Sequence, residues 1–164
     1  MAYDIDPFDG GGNQGAQRLL ALANYLETVR EADYDHRAWR SECQEGAPAM
    51  CALGHGITAL PEVIGLRWRK PGEAEIVRLD GSGVTQSTLM LASEAFDLSP
   101  DEAAMIFGIA PNTVAFYGAA GLSGIKPRRA AEAIRQFAFA KMAIAPSCRF
   151  EDLAPAARET APAV

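Results

Sequence analysis

Leu19, Leu22, Leu26 and Val29 recur at helical spacing, with Ala23 and Tyr25 beside them, and predict a first helix over about 16–31. The polar and aromatic stretch ADYDHRAWRSECQEG, residues 32–46, breaks that period and reads as a loop or short helical turn. A second stripe, Met50, Leu53, Ile57 and Leu60, predicts a helix over about 48–60. Pro48 suits its first turn, where a missing N–H costs nothing, and Pro61 follows its end. In GLRWRKPGEAEIVRLDGSG the period changes to two: LRWR and EIVRL alternate around a Pro-Gly turn, which predicts a small β-hairpin at about 65–70 and 74–79. STLMLASEAF, residues 87–96, is helical again. LSPDEAAMIFG then carries its own start signal: Ser99 caps, Pro100 takes the first position, Glu102 completes a capping box, and Gly108 ends the helix. The segment 109–126 is loop-rich. Ala130, Ala131, Ile134, Phe137, Ala138 and Met142 give the last helix, over about 127–143, an inward face.

The pattern is that of a mainly α, compact single domain of about five helices with one small β-hairpin at about 65–79. Strands do not alternate with helices, which argues against a parallel doubly wound sheet. Residues 1–15 read as a polar, glycine-rich N-terminal arm, 16–145 as the helical domain, and 146–164 as an Ala/Pro-rich C-terminal tail with little to bury.

Composition narrows the function classes. A chain of 164 residues with 49% hydrophobic and 22% charged residues holds enough apolar material for one core without a staple. The net charge of -6 and the lack of a basic stripe disfavour nucleic acid, whose backbone is bound through Lys and Arg. No apolar run approaches the ~20 residues of a membrane helix, so no membrane span is expected. MAYDIDPFDGGG lacks the positive and apolar regions of a secretory signal, and an odd count of 3 cysteines fits a reducing cytoplasm.

The candidate chemistry centres on MCALGHG, residues 50–56. His36, Cys43, Cys51 and His55 are soft ligand types close in sequence, and Cys51 and His55 at i, i+4 share a helix face, so zinc is one reading. Structural zinc sites bring two ligands on a tight knuckle, and the Cys43–Cys51 spacing does not. A thiol nucleophile is a second reading. Cys51, about a turn into the expected helix, would have only His55 or His36 as base, with no histidine downstream. A Cys43–Cys51 disulfide over Gly46 and Pro48 is a third. The reading favoured by the pattern is packing. Cys51, Gly54, His55 and Thr58 form a flank beside the apolar stripe, with Cys51 as a small hydrophobe, Gly54 admitting another element and His55 bonding a backbone carbonyl. Gly54 and Gly56 cost ~1 kcal/mol each in helix propensity, which a close contact can offset. Trp39 before this helix and Trp68 after it read as a clamp, and together with Cys51, Gly54, His55 and Gly56 they form a structural signature. Further on, YGAAGLSGIKPRR places Gly121, Gly124, Lys126 and Arg128 before a helix, a weak anion site that matches no phosphate-binding fingerprint. Asp33, Asp35, Glu42 and Glu45 contain no calcium-loop spacing and read as solvated surface.

YLETVREADYDHRAWRSEC followed by AMCALGHGITALPEVIGLRW resembles the centre of a family of small uncharacterised proteins from tailed bacteriophages and bacteria. In that family a Trp segment leads to a cysteine and then to a helix of the type CALGHA. ASEAFDLSPDEAAMIFG resembles its next signature, a helix with the pattern L-S-x-x-E-A. The likeness covers about residues 18–140, and the longer Cys43–Cys51 spacing departs from it, which weakens any inference of a fixed metal geometry. The resemblance implies a bacterial or phage-infected cell, cytoplasmic or virion-associated, and brings no catalytic residue. The expectation is a small soluble non-enzymatic module that meets a protein partner or forms a homo-oligomer, without a cofactor. The alternative is a thiol or zinc protein centred on Cys51 and His55, with Cys43 and His36.

Overall fold

The computed structural model describes residues 13–40 and 49–144. Among them are seven α-helices and one two-stranded antiparallel sheet: α1 (Gln14–Leu26), α2 (Ala52–Ala59), α3 (Pro61–Ile64), β1 (Leu66–Trp68), β2 (Ile76–Arg78), α4 (Thr88–Ala95), α5 (Pro100–Phe107), α6 (Pro111–Phe116) and α7 (Pro127–Ile144). The chain is a mainly helical single domain with one hairpin, as its patterning predicts. No helix among the described residues is long and apolar enough to cross a membrane.

The core is organised by α1 against α7. Leu19, Leu22, Ala23 and Leu26 of α1 meet the small face of α7, Ala130, Ala131, Ile134 and Ala138, and all are fully buried. Alanines on that face let the helices approach closely, and each buried leucine contributes about 1.5–3 kcal/mol. The pair is antiparallel. Arg135 donates to Glu27 (2.9 Å) and Asn24 (3.0 Å) at one end, and Lys141 to the Asp97 carbonyl (3.0 Å) at the other, where Gly15 of α1 presses on the Phe96 carbonyl. The hairpin pairs Leu66 with Arg78, Arg67 with Val77 and Trp68 with Ile76. The capping box of α5 is formed: Ser99 Oγ accepts from the Glu102 N–H (3.1 Å) and Glu102 Oε2 from the Ser99 N–H (2.8 Å).

Three expectations are corrected. The first helix starts earlier and ends at Leu26, so Gln14 and Gly15 belong to it rather than to an arm, and Val29 sits in the following turn. The helix expected over 48–60 begins only at Ala52, because Met50 pairs with Tyr34 in an isolated parallel bridge and Cys51 is extended. Pro61 then opens a separate turn, α3, closed by Gly65 with φ of 83°. The segment 109–126 is not merely loop: it holds α6 and a 3-10 turn at Leu122–Gly124. Pro48, Cys43, residues 1–12 of the arm and the tail lie outside the described residues.

Candidate functional site

The stretch 33–39 runs along the start of α2, leaving a 3-10 turn at Asp33, bridging to Met50 at Tyr34 and turning at His36 and Arg37. The Met50 N–H donates to the Asp33 carbonyl (3.1 Å), the Asp35 N–H to the Met50 carbonyl (3.1 Å), and the Cys51 N–H to the Ala38 carbonyl (2.7 Å). Such an approach needs a helix surface without side chains. Gly54 provides it, since a Cβ there would sit 2.0 Å from the Trp39 carbonyl oxygen. Tyr34, in the bridge, and His36, in the turn that follows it, are both buried.

Four aromatic rings then meet around α2. His55 stacks on Tyr34, with centroids 6.0 Å apart and planes 2° apart. Its Nε2 lies 2.8 Å from the Asp33 carbonyl. A carbonyl only accepts, so Nε2 carries the hydrogen. The Tyr34 hydroxyl lies 2.9 Å from His36 Nδ1, and the His36 ring meets Tyr117 edge-on at 5.0 Å. Tyr117 donates its hydroxyl to the Ile106 carbonyl at 2.7 Å. The remaining ring nitrogen, His36 Nε2, is buried with no partner in hydrogen-bonding geometry among the described residues.

Burial dominates the electrostatics. It pushes the His36 imidazole down to about 4, against the weaker pull of the Gly108 backbone and the Asp35 charge. It also lowers His55, against the Asp33 backbone. Cys51 is the N-cap of α2 rather than a residue one turn in. The N–H groups of Gly54 and Leu53 do favour its thiolate, but burial outweighs them and pushes the thiol up to about 11. A charged form in a low-dielectric interior costs more than a few dipoles return.

The fold thus gathers three of the sequence candidates, His36, Cys51 and His55, around Tyr34 and Tyr117. Cys43 lies outside the described residues. Cys51 is a buried free thiol, and the disulfide considered with Cys43 falls outside the described residues. His36 Nδ1 and His55 Nε2 face partners within the fold, and no group of three His, Cys, Asp or Glu side chains converges among the described residues. Both histidines thus have hydrogen-bonding partners within the fold. Trp39 meets α2 through its backbone at Gly54, and Trp68 through its indole N–H to Thr58 Oγ1 (3.0 Å), with Arg40 stacked over the indole. Gly56 faces Ile64 and Leu22. Tyr34 and Tyr117 were the residues that patterning alone did not select.

The anion candidate has a different geometry. Lys126 and Arg128 are exposed, and Gly121 has open space around it. The N–H groups of Gly118, Ala119, Gly124 and Ile125 are bonded to Ala115, Val114, Gly121 and Leu122 within the loop's own turns. A phosphate cradle needs convergent free N–H groups, and these four are engaged. Arg129 folds back instead onto the Tyr117 carbonyl (3.1 Å). Compared with known proteins, the chain matches no family model, no curated protein and no solved structure.

Proposed function

We propose that this chain is a non-enzymatic interaction or structural module that presents a surface to a protein partner or to a second copy of itself. The observation that supports this reading is the engagement of the signature's reactive groups inside the fold. A nucleophile needs a thiolate, and a general base an imidazole open to substrate. Cys51, His36 and His55 are instead buried, with the thiol at about 11. Among the described residues the large apolar side chains that stand exposed are Val84, Met90, Ile109 and Phe139. Over the described residues Lys and Arg number thirteen and Asp and Glu thirteen, so the net -6 falls on residues 1–12, 41–48 and 145–164. A body without net charge meets a protein surface without long-range repulsion and has no phosphate-binding field. In keeping with the resemblance of about residues 18–140, the module works in a bacterial or phage-infected cell, in the cytoplasm or on the virion.

Light scattering across a wide concentration range, with Ile109→Asp and Phe139→Asp beside the unmodified chain, tests this reading. The expected result is a self-associated species, or a stoichiometric complex with an isolated partner, that one of these variants weakens. A strict monomer that forms no complex overturns it. So does stoichiometric zinc, or rapid thiol chemistry at Cys51.

A further inference from the structure

His36 sits where three elements meet. Its own segment, residues 31–40, supplies Tyr34 and Asp35; α6 leads into Tyr117, whose ring edges against it; and the Gly108 backbone approaches from the end of α5. Beside Tyr34 are Cys51 and the Ala52 N–H at the start of α2, and His55 stacks on its face. With Nδ1 accepting the Tyr34 hydroxyl, the neutral ring keeps its hydrogen on Nε2, and the Ala52 N–H leans on the hydroxyl oxygen.

We propose that His36 is an acid-sensitive latch: neutral, it fastens residues 31–40 between the start of α2 and the α5–α6 corner, and protonated, it releases them while the α1–α7 pair stays folded. The direction follows from donor counting. An imidazolium has two N–H donors and no acceptor, so Nδ1 can no longer receive the Tyr34 hydrogen. The hydroxyl must turn to accept, and its own hydrogen is left unpartnered in the interior. The charge would face Tyr34, Tyr117, Cys51 and His55. Among the described residues the acid whose charge reaches it is Asp35, whose carboxylate is already held by Arg37 at 2.8 and 2.9 Å. Burial keeps His36 neutral down to about 4, well under the ordinary 6.5. The sign is therefore fixed. The contribution is complete above the unfolded value near 6.5, falls as pH drops below it, and is gone below about 4. Asp33 and Asp35, hydrogen-bonded to Arg30 and Arg37, sit below their ordinary range and stay charged through most of that window. The α1–α7 pair is held by aliphatic packing and by the contacts of Arg135 to Glu27 and Asn24.

Amide hydrogen exchange, corrected for intrinsic rates and measured from pH 8 to pH 5, tests the latch alongside histidine ring NMR on the same samples. The seam amides are those of Asp35, Met50 and Cys51. Their opening constants should rise about tenfold by pH 5.5 and about thirtyfold by pH 5, and should stay well above those of Leu22 and Ala131, whose amides open only with the whole domain. His36→Gln should flatten the response and His55→Gln should leave most of it. Should His36→Gln fail to fold, the unmodified chain decides: its folded-state His36 resonance must stay neutral to below pH 5 while the seam loosens. Flat seam protection, seam opening constants equal to those of Leu22 and Ala131, or a His36 that titrates near 6.5 without loosening the seam each overturn the proposal.

Discussion

Two regions of this molecule carry glycines beside chemically suggestive side chains, and they use them in opposite ways. At α2, Gly54 lies under the Trp39 backbone, where a Cβ would come within 2.0 Å of a carbonyl oxygen. At the loop before α7, nothing lies within 4 Å of a Cβ on Gly121, and at Gly124 the nearest neighbour is Ala119 at 3.8 Å. The first glycine is required by a contact between distant parts of the chain. The second has room around it and could carry a side chain. The same contrast runs through the polar groups. Around α2 they are buried and bonded inward, and around the loop Lys126 and Arg128 face solvent while the backbone donors serve local turns. A glycine-rich motif therefore says little until its neighbours in space are known.

The contrast can be broken by substitution. Gly54→Ala should have the largest effect, about 3 kcal/mol or more of lost stability in urea denaturation, because the clash is with backbone that cannot rotate away. A loss under 1 kcal/mol would mean that Trp39 does not lie on α2. Protonation comes next. The neutral state of buried His36 contributes about 3 kcal/mol above pH 6.5, lost as pH falls toward 4, and a denaturation series from pH 8 to pH 4.5 reads it. Stability flat across that range would contradict the buried, neutral ring. Gly56→Ala should cost about 1 kcal/mol or less. Its clashes are with the methyl ends of Ile64 (2.6 Å) and Leu22 (2.9 Å), which can shift, and alanine returns ~1 kcal/mol of helix propensity. At the far end of the scale, Gly121→Ala should stay within about 0.5 kcal/mol. A large loss there would show that the loop, too, is held by close packing.

Much of the fold was legible before any coordinates. α1, α4, α5, α7 and the hairpin follow from periodicity, and the Ser99–Glu102 box from three letters, because each is a local matter. What escaped was set by tertiary contacts. Met50 belongs to a stripe with helical spacing, yet its bridge to Tyr34 holds it extended and moves the start of α2 to Ala52. Cys51 therefore caps the helix, a position that favours reactive thiols, while complete burial takes it the other way. α6 spans six residues, too few to display a period, although Pro111 marked its first turn. Within the candidate site, His55 on a carbonyl and Gly54 beneath a backbone were readable from residue type. Tyr117 was not, because nothing in the local pattern links it to His36, eighty-one residues earlier.

The central claim is that the Cys51–His55 stretch is the packing seam of the domain rather than a reactive centre. Its most direct test is site-resolved alkylation of Cys51 in the native protein, followed by mass spectrometry, with the urea-unfolded chain as reference. The expected result is slow labelling at pH 8 that tracks unfolding and reaches the free-thiol rate only in denaturant, as a buried thiol near 11 requires. Labelling of native Cys51 at or above the free-thiol rate, with a midpoint below about 8.5, would contradict it.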